Sequence, residues 1–71
     1  MDKEKRVTQA ERILNLLERA NFGWVPLPEI MALGIASHTR RIFELRRQGY
    51  AIDKLENRHG QQHQVWYRLR P

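Results

Sequence analysis

The sequence predicts an α+β fold, three helices followed by a C-terminal β-hairpin, and three observations carry that prediction. Apolar residues recur at helical spacing between Ala10 and Ala20. Two further helical stretches then follow, broken by Gly34 and Gly49. Beyond Gly49 the pattern turns extended, with two runs rich in β-branched and aromatic residues around a polar turn.

The elements follow in order. Residues 1–7 read MDKEKRV, too charged for a signal peptide and expected to form a frayed tail ahead of one domain over 8–71. Thr8-Gln9-Ala10-Glu11 is a capping box, since the Thr hydroxyl and the Glu carboxylate can each satisfy a free N–H of the first turn. The first helix is expected over about 9–20, with Ala10, Ile13, Leu14 and Leu17 inward and Gly23 as its left-handed stop. Trp24-Val25-Pro26 is bulky and extended, a stub for a sheet to adopt. The second helix is expected from Pro28, at the first helical position, to Leu33, with Ile30, Met31 and Leu33 as its apolar contacts. Ser37 is a good N-cap for a third helix running to about Gln48. The tight turn between these helices, three or four residues with a Gly, has helix-turn-helix spacing. Residues 50–55 and 63–69 are the expected strands, joined by a polar turn over 56–62. A lone hairpin is unstable in water, so it should fold back on the helices and pair with the 24–26 stub.

At 71 residues the chain has room for one modest core. It has no Cys, which removes disulfides and thiolate zinc sites and fits a reducing, cytoplasmic setting. No apolar run approaches a membrane span. The net charge is +5, and acids balance bases up to residue 35. The whole excess therefore lies in 36–71, where seven of eight cations are Arg. Arg suits bidentate contact with phosphate or guanine; a solvated basic surface is the ordinary reading, and the asymmetry raises the odds of a polyanionic partner without naming it.

On the third helix, Ile42 and Leu45 point one way, with His38, Thr39 and Arg46 nearer that side. Ser37, Arg40, Glu44 and Arg47 lie opposite, with Arg41 and Phe43 at the flanks. Arg40 and Arg47 are two turns apart on one face, and an α-helix fits the DNA major groove. Ser37, Thr39 and Arg40 are the candidates for base or phosphate contacts, and Arg41 and Arg47 mainly for phosphate. Glu44 opposes DNA; an intrahelical pair with Arg40, Arg47 or Gln48 outweighs acceptance from cytosine. Arg58 and His59 in the polar turn could meet phosphate or the minor groove, at even odds with an ordinary turn. His59 and His63 lie on a loop and a strand without an acidic or thiolate companion, so a metal role is set aside. Trp24, Tyr50 and Tyr67 are expected in the core, and Trp66 partly exposed.

The string Leu27 to Ile52, LPEIMALGIASHTRRIFELRRQGYAI, and the hairpin ending VWYRL resemble winged helix-turn-helix proteins. Strings ending R-R-I-x-E-L-R-x-x-G-Y-x-I are similar to those of short phage and prophage members. That resemblance implies a helix in the major groove of double-stranded DNA and a hairpin wing beside it. Carried over by position, it assigns DNA contacts to Ser37, His38, Thr39, Arg40, Arg41, Glu44 and Arg47, with Arg58 and His59 in the wing. His38 is a departure, since the commoner pattern has an aliphatic residue there. The resemblance implies a small transcriptional regulator or phage accessory protein, without cofactor, and leaves a homodimer or protein partner open.

Other functions fit less well. A protein–protein adaptor is the main alternative, because one fold serves several functions, and exposed Trp66 and Phe43 would support it. RNA binding lacks an aromatic sheet motif or a GXXG loop. An enzyme is least favoured, because no nucleophile–base pair or catalytic carboxylate pair stands out.

Overall fold

The computed structural model describes residues 8–71; the tail expected over 1–7 lies outside the described residues. Its order is α1 (Gln9–Arg19), β1 (Val25–Pro26), α2 (Leu27–Met31), α3 (His38–Arg47), β2 (Ile52–His59) and β3 (Gln62–Leu69). The strands form one antiparallel sheet in the order β1-β3-β2. This is the α+β arrangement that the sequence predicts.

α1 begins at the capping box: Glu11 N–H donates to Thr8 Oγ1 at 3.1 Å, and Thr8 N–H to Glu11 Oε1 at 3.0 Å. Its stop differs from expectation. Asn21 and Phe22 take the left-handed φ values, 54° and 68°, while Gly23 does not. Gly23 is needed for close approach instead, since its N–H donates to Ala20 O and a Cβ there would lie 3.0 Å from that oxygen.

α2 starts one residue earlier than expected, at Leu27, and ends at Met31. Pro28 thus takes the second helical position, where its missing N–H still costs nothing. Only Ile30 of this helix is buried; Met31 points to solvent and Leu33 is half-buried in the turn beyond. The connection to α3 spans 32–37, longer than expected, because Ile35 drops into the core between the helices. Gly34 makes the turn at φ 73°. Ser37 holds the N-cap position in a left-handed conformation, and its hydroxyl caps nothing.

The core joins Ile13, Leu14 and Leu17 of α1, Ile30, Ile35, Ile42 and Leu45 of the helix-turn-helix, and Val25, Ile52, Val65, Tyr67 and Leu69 of the sheet. Trp24 and Tyr50, expected inside, are exposed instead. Trp24 is one residue before the β1 stub and packs under the Arg68 guanidinium, 4.6 Å from its ring centroid. Tyr50 follows Gly49, whose φ of 108° turns the chain out of α3. Arg46 ties α3 to the sheet, donating through Nε and Nη2 to the Ile52 carbonyl at 3.2 and 2.8 Å.

The hairpin is the largest correction. Both strands run on through 56–59 and 62, leaving a two-residue turn of Gly60 and Gln61. Gly60 has φ 62° and Gln61 is not left-handed, the φ pattern of a type II′ turn, which suits the twist of a hairpin. Polar composition concealed these strand ends. They need no apolar side, because beyond Val65 the hairpin extends clear of the core and every residue from Asn57 to Gln64 is exposed.

Candidate nucleic-acid interface

Ile42 and Leu45 are 2 % and 0 % exposed, which fixes how α3 is turned. Thr39, Arg40, Phe43, Arg46 and Arg47 are exposed, while His38, Arg41 and Glu44 are half-buried. Arg40 and Arg47 have no acidic partner among the described residues. Both sit on the face opposite Leu45, and Phe43 lies between them, three residues after one and four before the other. Phe43 was expected at a flank. The structure makes it the most exposed large apolar side chain among the described residues, at 57 %, with the Arg47 guanidinium 5.9 Å from its ring centroid.

Glu44 pairs, as expected, within the helix, but with a different Arg. Arg41 Nη1 donates to Glu44 Oε1 and Oε2 at 3.0 and 2.8 Å. Arg41 Nε is shielded from solvent without a partner. The pair cancels the one negative charge on α3 and withdraws Arg41 from the free cations. A helix-wheel reading could not choose between the Arg at i−3 and those at i−4 and i+3, because all three can reach Glu44.

His38 sits edge-on to Tyr67, with ring centroids 6.2 Å apart at 71°. Its Nε2 is 3.4 Å from Thr39 Oγ1. The imidazole thus packs on the sheet and joins the first turn of α3 to it. Ser37 and Thr39 are exposed at that same end.

Arg58 and His59 are in strand rather than in the turn, opposite His63 and Gln62. Neighbours on a strand point to opposite faces. By register, Arg58 shares the face of Glu56, Val65, Tyr67 and Leu69, which packs on the helices, and His59 has the other. The hairpin therefore does not bring the two together. Arg58 has no acidic partner among the described residues, whereas His63 Nε2 meets Glu56 Oε2 at 3.0 Å and Lys54 Nζ lies 3.6 Å from the same oxygen. The His63 hydrogen bond, and after it the charge of Lys54, hold the Glu56 carboxyl below its ordinary value. Nearer the core, Arg70 and Arg68 both bond Asp53, lowering its pKa and raising that of Arg70.

Among the described residues, no three His, Asp or Glu side chains gather as metal ligands, and no helix is long and apolar enough to cross a membrane. No curated protein and no solved structure matches the chain. The family model of the winged helix-turn-helix domain matches residues 8–67, from the N-cap of α1 to the residue of β3 that pairs with β1. With three helices, a turn set by Gly34 and a projecting hairpin over those residues, the chain belongs to the winged helix-turn-helix domain family, a DNA-binding fold.

Proposed function

We propose that this domain binds double-stranded DNA, with α3 in the major groove and the β2–β3 hairpin as a wing on the flanking backbone. The observation that carries this reading is the outward face of α3. Arg40 and Arg47 project from it with no acidic partner among the described residues, while Glu44 is neutralised by Arg41. An unopposed pair of guanidinium groups two turns apart suits phosphate or guanine along a groove. Ser37 and Thr39 serve the N-terminal end of the helix, His38 orients it, Arg41 acts through Glu44, and Arg58 supplies the wing contact. His59 serves a backbone on the opposite side of the wing. The biological role in this proposal is a small cytoplasmic transcriptional regulator or phage accessory protein, with no cofactor required.

The test is duplex affinity of the Arg40→Ala, Arg47→Ala double variant. A loss of at least tenfold is expected, since one good bidentate Arg contact is worth about 1–3 kcal/mol. Unchanged affinity would remove α3 from the interface.

A second reading, a protein-binding module, is favoured by one feature elsewhere. A groove of ≈ 300 Å³ runs between α2 and β3, lined by Pro26, Leu27, Met31, Val65 and Trp66 among others. Trp66→Ala is expected to abolish capture of a protein partner, without altering duplex affinity, if that reading holds.

A further inference from the structure

The geometry points to Phe43 as a specificity-determining residue that reads thymine by its 5-methyl group. The inference rests on the DNA reading above and names the base feature that this face selects. Phe43 is 57 % exposed, in the middle of a helix whose other apolar residues, Ile42 and Leu45, are buried. Folding does not account for a phenyl ring there, because its burial contributes little to the core.

Its neighbours narrow the choice of partner. Arg40 and Arg47 flank it on the same face, and the Arg47 guanidinium lies over its ring. An apolar groove on another protein would have to desolvate both cations to receive the ring, at considerable cost. A polyanion that also offers an apolar group meets both demands at once. In the DNA major groove the only apolar group on a base edge is the C5-methyl of thymine, and Phe is one of the side chains that contact it. The flanking Arg side chains reach phosphate or guanine on either side, while the ring covers the methyl and excludes water from it.

The test uses a duplex that the wild-type chain has selected from a random-sequence pool. Each thymine is replaced in turn by deoxyuridine, which pairs identically and lacks only the methyl. Affinities of the wild type and Phe43→Ala are then read by fluorescence anisotropy. At one or two positions the wild type is expected to lose about fourfold, the equivalent of one buried methyl. Phe43→Ala is expected to lose nothing at those positions, and to bind the thymine duplex weaker than wild type by at least that factor. Phe43→Gln keeps a helix-compatible side chain but has a polar tip and should likewise lose methyl dependence, so the test stands even if the Ala variant folds poorly. The proposal is overturned if every deoxyuridine duplex binds the wild type as tightly as its parent, or if wild type and variants lose equally. Failure of the wild type to bind any duplex at low salt overturns the DNA reading itself, a result distinct from binding without methyl dependence.

Discussion

Thr8 and Ser37 occupy the same formal position, ahead of a helix, yet only one of them caps. Thr8 accepts from Glu11 N–H, whereas Ser37 lies left-handed at φ 57° and ψ 52° and its hydroxyl makes no capping bond. Loss of a working N-cap costs about 1 kcal/mol, a shift of roughly 4–8 °C in Tm for a domain of this size. Thr8→Ala should therefore lower the thermal midpoint by about that much, and Ser37→Ala by far less. Equal losses would mean that the Ser37 hydroxyl finds an acceptor role in solution. The Thr8 box was legible in sequence because all of its parts lie within four residues. Ser37 was not, since nothing in the identities of its neighbours signals the left-handed backbone that it takes. The Arg41–Glu44 pair escaped for a related reason: helical spacing offers Glu44 several partners, and only side-chain packing selects one.

At the scale of elements, the joint between α3 and the hairpin rests on a few contacts. Leu45 is fully buried, and Arg46 reaches the Ile52 carbonyl from the next residue. Leu45→Ala is expected to cost about 2–5 kcal/mol, much of the stability a small domain has, and denaturant melts would register it. Asp53 makes the hairpin base sensitive to acid. Arg70 and Arg68 depress its pKa below the ordinary 3.8, so its contribution is complete above that value and is lost as the pH falls through the depressed folded value. The gap in Tm between wild type and Asp53→Asn should stay constant from neutral to about pH 4 and close below it. A gap independent of pH down to acid would exclude the Asp53 pairs as its source. Helix positions were readable from apolar period and Gly breaks. Strand lengths were not, because residues 56–59 and 62–64 pair through backbone and exposed polar side chains and carry no apolar alternation.

For the whole molecule, charge is arranged in two tiers. The cations around Asp53 and Glu56 are paired and hold the hairpin together, while Arg40, Arg47 and Arg58 have no acidic partner among the described residues. Composition alone placed the excess in the second half, but it could not separate structural Arg68 and Arg70 from the free set. The shape follows that division. The longest dimension is 50 Å against 26 and 20 Å across, and the hairpin carries Arg58 out from the body that holds α3. Each phosphate neutralised by a free cation adds about −0.9 to the slope of log K against log salt concentration. Arg58→Ala should then weaken binding to all duplexes alike and reduce the slope by about one unit. The most direct test of the DNA reading is anisotropy of a labelled random-sequence duplex titrated with the wild-type chain at several salt concentrations. A slope of about −2 to −3 is expected if Arg40, Arg47 and Arg58 each neutralise one phosphate. No binding at low salt, or binding indifferent to salt, would contradict the account and give priority to the groove beside Trp66.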